Sequence, residues 1–301
     1  MTIVFRLSRA AIFLALLAAS LAFAQADDAA AWKSVEDALG RHGTALPGNV
    51  YKFGLPRADM HVTVQGVAIQ PALALGSWLA FKRVSGGAIV MGDLVLLEDE
   101  VEPVMLKLQQ AGIEQTALHN HVLNESPRVM YMHVSGHGDS VQLARSLHDA
   151  LALTGTPAPA PPAPPAKLDL DQAQLESILG RKGSVNGGVL QFSVPRAESI
   201  SEHGTDIPPS MGTATAINFQ PTGNGRVAIT GDFVLLGSEV NPVIKTLREN
   251  GIDVTAIHSH MLEETPRLFF MHFWANHEAV ALARGLRAAL DRTNSAQPTA
   301  K

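Results

Sequence analysis

Two stretches of this chain carry the same set of metal-binding side chains. The first places His119 and His121 two residues apart, Glu125 four residues after the second histidine, Arg128 behind Pro127, and His133 twelve residues after His121. The second repeats this as His258, His260, Glu264, Arg267 behind Pro266, and His272, at a constant offset of 139 residues. Imidazole and carboxylate are side chains that hold divalent metals such as zinc. The chain has no cysteine, so thiolate ligands, disulfides and a lipid-attachment thiol are all excluded.

The elements that position these groups follow from their alternation. Successive side chains of a strand point to opposite faces, so His119 and His121 project together, as do His258 and His260. A hairpin with His119 opposite Tyr131 and His121 opposite Val129 sets His133 opposite Ala117 on that same face, within reach of a shared ion. A slip of one residue would send the third histidine to the other side. The spacing therefore predicts one metal site per repeat, built from His119, His121 and His133 and from His258, His260 and His272. Glu125 and Glu264 fall in the hairpin loop, as a fourth ligand or as a general acid/base. Arg128 and Arg267 are placed to hold an anionic group of a substrate, and Asp93 and Asp232 either accept the second N–H of a ligating histidine or simply form a turn. A plainer reading has the histidines bonded within a polar sheet face and each Glu paired with its Arg across the turn.

Around these motifs each half of the chain reads alike. Helices are expected over 28–40 and 169–180, then strands over 50–55 and 189–194, each ending in Pro-Arg. Arg57 and Arg196 either pair with an acid or simply sit at a strand end, and the second reading is preferred. His61 to Ile69 reads as strand, turn and strand, whereas 200–209 reads as a diverged loop, which would suit one active and one modified copy. Strands over 88–97 and 227–236 contain Gly92-Asp93 and Gly231-Asp232, where a glycine marks a bulge or the close approach of another group. Helices over 100–111 and 239–250 place Pro103 and Pro242 in the first turn and Gly112 and Gly251 just beyond the end. Closing helices are expected over 140–151 and 278–291. His137 and His277 fall out of register with the site and are read as loop residues or distant supports. Met91, Met130, Met132 and Met271 would admit copper(I) as soft ligands, but in strands they are read as core. The fold class is α+β: two homologous repeats, each a mainly antiparallel sheet with flanking helices, packed as an internal pseudo-dimer.

The 301 residues suit two domains with their own cores. A net charge of −5 gives no footprint for nucleic acid. Arg6 and Arg9 precede the apolar run Ala10 to Ala19 and Ala22-Phe23-Ala24, a pattern expected of a signal peptide over 1–24 that leaves a periplasmic or secreted protein without stable membrane insertion. The repeats are expected at 28–153 and 168–293. Between them lies a Pro/Ala-rich spacer at 154–167, and a tail follows at 294–301.

The runs Leu75-Gly76-Ser77-Trp78, Met91 to Leu96 and Ala117 to His133, with Ile217 to Gly223, Gly231 to Leu235 and Phe270 to Asn276, make the chain resemble the LppY/LpqO proteins, a bacterial family whose repeat is a domain of unknown function. That resemblance implies an exported protein and no established activity. The spacing of the histidines is also similar to that in the fold shared by acetolactate decarboxylase and the plant and prokaryote conserved domain, an analogy only. The resulting expectation is an exported protein binding zinc, or else copper or manganese. As an enzyme it would be a metal-dependent lyase or hydrolase for a small anionic substrate. The alternative is a non-catalytic module of the envelope that buffers metal or binds a ligand.

Overall fold

The computed structural model describes residues 30–159 and 168–297. The expected signal peptide and most of the Pro/Ala-rich spacer lie outside the described residues. The first repeat runs α1 (30–39), β1 (Thr44–Leu46), β2 (Val50–Pro56), β3 (Thr63–Val64), β4 (Val67–Ala68), α2 (Pro71–Ala74), β5 (Gly76–Val84), β6 (Gly87–Leu97), α3 (Glu98–Gln110), β7 (Glu114–His119), β8 (Glu125–Ser126), β9 (Val129–Gly138) and α4 (Ser140–Leu151). The second runs α5 (Gln172–Leu179), β10 (Ser184–Asn186), β11 (Val189–Pro195), β12 (Ser201–Glu202), β13 (Thr205–Asp206), a 3-10 turn at Pro209–Met211, β14 (Ala214–Gly223), β15 (Arg226–Leu236), α6 (Gly237–Glu249), β16 (Asp253–His258), β17 (Glu264–Thr265), β18 (Leu268–Glu278) and α7 (Ala279–Leu290). Each repeat forms a six-stranded antiparallel sheet, β1-β2-β5-β6-β9-β7 and β10-β11-β14-β15-β18-β16.

Alternation along the long strands divides their residues between two cores. Val90, Leu94 and Leu96 of β6, with Met132 and Val134 of β9, join the first repeat's helices in one apolar cluster. Leu175, Ile229, Met271, Phe273 and Leu286 belong to the equivalent cluster of the second repeat. The intervening residues face the other repeat. Val95, Val129 and Tyr131 pack in one cluster with Val189, Ala228 and Trp274, and Val50, Ala80 and Met91 pack with Met211, Val234, Met261 and Phe270. The repeats are thus held face to face as a pseudo-dimer. Polar tethers cross the same seam, including Lys52 Nζ to Ser210 O at 3.1 Å and Gln191 Nε2 to Ala72 O at 2.8 Å.

Four local expectations are corrected. Helices α3 and α6 start at Glu98 and Gly237, two residues earlier than expected, so Pro103 and Pro242 sit in the second turn. The early start is enforced by Glu100 and Glu239, whose carboxylates accept the Leu97 and Leu236 N–H groups at 2.8 and 2.7 Å. Arg57 and Arg196 are not plain strand ends: both are buried and ion-paired. Arg57 donates to Glu100 at 2.7 Å, Asp59 at 2.9 Å and the Val95 carbonyl at 2.6 Å, and Arg196 does the same to Glu239, Glu198 and Val234 O. A buried guanidinium requires such partners. The stretch read as a diverged loop folds as β12 and β13, the same small hairpin as β3 and β4, each pairing with the motif strand of its own repeat. Lastly, the spacer and the tail begin as packed chain. Gly155 N–H donates to Glu100 and Asn294 N–H to Glu239, at 2.7 and 2.8 Å.

Candidate metal centre

The motif hairpin adopts the register that alternation requires. His119 pairs with Tyr131 and Ala117 with His133, while His258 pairs with Phe270 and Ala256 with His272. Strands β7 and β16 end at His119 and His258, so His121 and His260 lie just beyond the paired region. Their loops are anchored across the seam. Thr116 Oγ1 donates to His260 O at 2.7 Å, and Thr255 Oγ1 donates to His121 O at 2.5 Å. Neither threonine stood out in the sequence, although each opens its copy of the repeated stretch.

Because the histidine-bearing faces oppose one another, the six histidines form one cluster rather than two separate sites. The rings of His119 and His258 lie 3.7 Å apart, those of His121 and His272 3.8 Å, and those of His133 and His260 3.8 Å, and each of these pairs spans the two repeats. Three groups of side chains are close enough to hold an ion: His119, His121 and His272; His119, His133 and His258; and Asp232, His258 and His260. The first two mix the repeats. Beside the expected triad of each repeat the fold therefore offers ligand groups that mix the repeats, because the third histidine of each hairpin approaches its neighbour's His-x-His loop.

Asp93 and Asp232 lie opposite His133 and His272 in the adjacent strands. They were expected to take the second N–H of a ligating ring, and they do not. Asp232 Oδ2 is 3.0 Å from His260 Nε2, and Asp93 Oδ2 is 3.5 Å from His121 Nε2, on the ligand side of each ring. The opposite ring nitrogens face backbone carbonyls instead. His260 Nδ1 meets Gly212 O at 3.2 Å, His272 Nδ1 meets Gly231 O at 2.7 Å, and His119 Nδ1 meets Asn120 O at 3.2 Å. Such contacts place the proton on Nδ1 and leave the Nε2 lone pair inward. Gly231 reaches this position because a Cβ there would press into Ala216 O.

Two nitrogen or oxygen ligands on one tetrahedral zinc stand roughly 3.3 Å apart, given metal distances of about 2.0–2.2 Å. Both Asp–His pairs bracket that spacing. The Nε2 atoms of all six histidines, and one oxygen each of Asp93 and Asp232, are buried with no hydrogen-bond partner. Orphaned buried polar atoms are costly and rare in folded proteins. The six orphaned imidazole nitrogens are lone-pair donors whose histidines, with Asp232, fall into groups within reach of one ion, and this fits a divalent cation. Burial also keeps five of the rings neutral. It pulls His260 down to about 3, with His119 nearby adding to the effect, and lowers His121, His133, His258 and His272 as well. Burial likewise lifts Asp232 to about 6.

The loop glutamates and arginines are placed differently from the histidines, and none of the four belongs to an ion-holding group. Glu264 accepts the Leu268 N–H at 2.8 Å and pairs with Arg267 at 3.1 Å, the cross-turn pair of the plainer reading. Arg267 also bonds Ser259 Oγ at 2.9 Å, and Arg128 approaches Asn120 Oδ1 at 3.4 Å. Asn120 and Ser259 are the residues between the paired histidines, so strand alternation turns both arginines to the opposite side of the hairpin. Glu125 accepts from Asn120 Nδ2 at 3.0 Å and Val129 N–H at 3.2 Å through Oε1, while Oε2 is buried and unpaired. His137 and His277 are exposed positions within β9 and β18, not loop residues. Met91, Met132 and Met271 are buried in apolar clusters.

The family model described as Domain of Unknown Function (DUF1259) matches residues 33–153 and again residues 173–292. No curated protein matches the chain. Among solved structures, a trimeric bacterial microcompartment shell protein, PduB, shows 12% identity over 84% of this chain and 95% of its own, with a TM-score of 0.22. A score that low carries no argument about fold or assembly.

Proposed function

The chain belongs to the family described as Domain of Unknown Function (DUF1259), whose domain it carries twice, and from that premise we propose that it is an exported divalent-metal-binding protein. Within that family it is read as a protein of the LppY/LpqO type. The observation that carries the metal reading is six orphaned imidazole nitrogens on histidines that group within reach of one ion, with Asp232 beside them. Related by the pseudo-twofold, these ligands divide into two sets of four without sharing. One set is His119, His121, Asp93 and the second repeat's His272. The other is His258, His260, Asp232 and the first repeat's His133. Three nitrogens and one oxygen, with no sulfur, suit zinc. Export rests on the charged and apolar pattern of the first 24 residues.

Elemental mass spectrometry of the untagged mature protein tests this reading, with two zinc ions per chain expected. Paired variants resolve how the ligands are shared. His121→Ala/His272→Ala, one histidine from each repeat, removes one ion, whereas His121→Ala/His133→Ala, both from the first repeat, removes two. The reverse pattern would restore one site per repeat. Absence of metal after reconstitution with zinc, manganese and copper would end the reading.

One observation favours a catalytic version. The Glu125 carboxylate has a buried oxygen free of partners and is pushed above its ordinary range by burial, whereas Glu264 is tied to Arg267. A bound zinc would polarise a substrate oxygen, and Glu125 would be the residue that moves a proton, in a lyase or hydrolase reaction on a small anionic substrate. Glu125→Gln should then abolish turnover in a substrate screen with metal content unchanged. Loss of metal in that variant would make Glu125 part of the binding machinery, and the non-catalytic buffering role would stand.

A further inference from the structure

The two ligand sets are related by a pseudo-twofold, but one pair of equivalent residues breaks the symmetry beside the ion-facing rings. Tyr131 stacks on His121 with ring centroids 3.3 Å apart and planes 10° from parallel. Its counterpart Phe270 stacks on His260 at 3.5 Å and 13°. The stacking is the same; only the hydroxyl differs. In the second repeat, the carbonyl of Gly212, at the end of the 3-10 turn, takes the His260 Nδ1 proton at 3.2 Å. The equivalent carbonyl in the first repeat is Ala74 O, at the end of α2, and there Tyr131 Oη donates to it at 3.1 Å. His121 Nδ1 makes no hydrogen bond among the described residues. The phenol donates to the carbonyl whose counterpart orients the imidazole in the second repeat.

We propose that Tyr131 sets the metal affinity of the His121 position: by occupying Ala74 O it leaves His121 without the carbonyl that fixes its tautomer and direction, so that the two metal positions of the chain are inequivalent. The inference rests on the metal reading above. Partners of this kind behind a ligating histidine change metal affinity by about 10- to 100-fold. Tyr131 is a positioning residue that acts through His121. Its burial in the seam between repeats explains why the hydroxyl must have some acceptor, and Ala74 O is the one it finds.

The test is stepwise zinc titration of the metal-free full chain against a competing chelator, for the parent, Tyr131→Phe and Phe270→Tyr. In Tyr131→Phe the Ala74 carbonyl becomes available to His121, and one binding step tightens by about 10-fold or more while the other stays put. In Phe270→Tyr the new hydroxyl competes for Gly212 O and one step weakens by a similar factor. Nitrogen-15 NMR of the histidine rings supplies a readout that simple repacking would not move: His121 of Tyr131→Phe shifts to a single Nδ1–H tautomer. Both steps staying within twofold of the parent in Tyr131→Phe, with the His121 signals unchanged, would overturn the proposal. If the parent takes up no zinc at all, the metal reading itself fails. If Tyr131→Phe does not fold, the Phe270→Tyr titration decides alone, and an unchanged pair of steps there counts against the proposal.

Discussion

Histidines held neutral by burial should make the metal-free protein unusually sensitive to mild acid. His260 is held by burial to about 3 against an ordinary 6.5, so the native state lacks a proton that the unfolded chain binds as pH falls through 6.5. Each pKa unit corresponds to about 1.36 kcal/mol. At pH 5 this one ring therefore costs about 2 kcal/mol of folding stability relative to pH 7.5, and the penalty grows until about pH 3. His121, His133, His258 and His272 are depressed in the same direction by the same cause. Each of these rings adds to the penalty in the same sense. Asp232 acts with the opposite sign. Raised by burial to about 6 from 3.8, it takes up a proton in the native state first and returns about 1 kcal/mol over the same interval. A typical protein holds only about 5–15 kcal/mol of stability in all, so several rings acting in one direction make the loss measurable. Urea denaturation of chelator-stripped protein, followed by fluorescence of the buried Trp32 and Trp274 between pH 7.5 and 5, reads this directly. Stability should fall as pH drops below 6.5, with a net uptake of protons on unfolding to which His260 contributes about one. His260→Gln should shed about one of them. A stability unchanged between pH 7 and 5 would refute the claim that the rings are buried and neutral.

Three further outcomes follow from the same contacts. Chelation should lower the melting temperature, and zinc at about 100 times its dissociation constant should restore roughly 2.7 kcal/mol per site; a melting temperature indifferent to zinc in calorimetry would contradict this. Thr255→Val strands the His121 carbonyl at the seam and should cost about 1–3 kcal/mol in urea denaturation, with Thr116→Val behaving alike toward His260. Arg57→Met leaves buried Glu100 without its cation and should cost about 3–5 kcal/mol. Adding Glu100→Gln should recover part of that loss, and a loss under about 1 kcal/mol in Arg57→Met alone would mean the pair is solvated.

The duplication, the α+β class and the hairpin register were all legible in the sequence. A period-2 pattern leaves one way to put His119 and His133 on one face, and the observed pairing of Ala117 with His133 follows that constraint. Glycine after α3 and α6 marked their ends, since Gly112 and Gly251 take the left-handed conformation there. The starts were misplaced because Glu100 and Glu239 serve both the cap and a buried arginine from a distant strand, a demand no local window contains. The ion pairing of Arg57 was hidden for the same reason.

What the tertiary structure alone decided is which histidines of the two repeats lie side by side. Sequence could place the three histidines of a hairpin on one face, and it could count two such faces. It could not say that the faces meet, or that His272 would lie beside His121 and His133 beside His260. Nor could it turn Asp93 and Asp232 toward the ligand side of the rings. Local conformation is set by neighbours in the chain, whose preferences are written in short periodic patterns. The meeting of two faces is set by non-directional burial of apolar surface, which many registers of two sheets could satisfy until shape and the polar tethers at the seam select one.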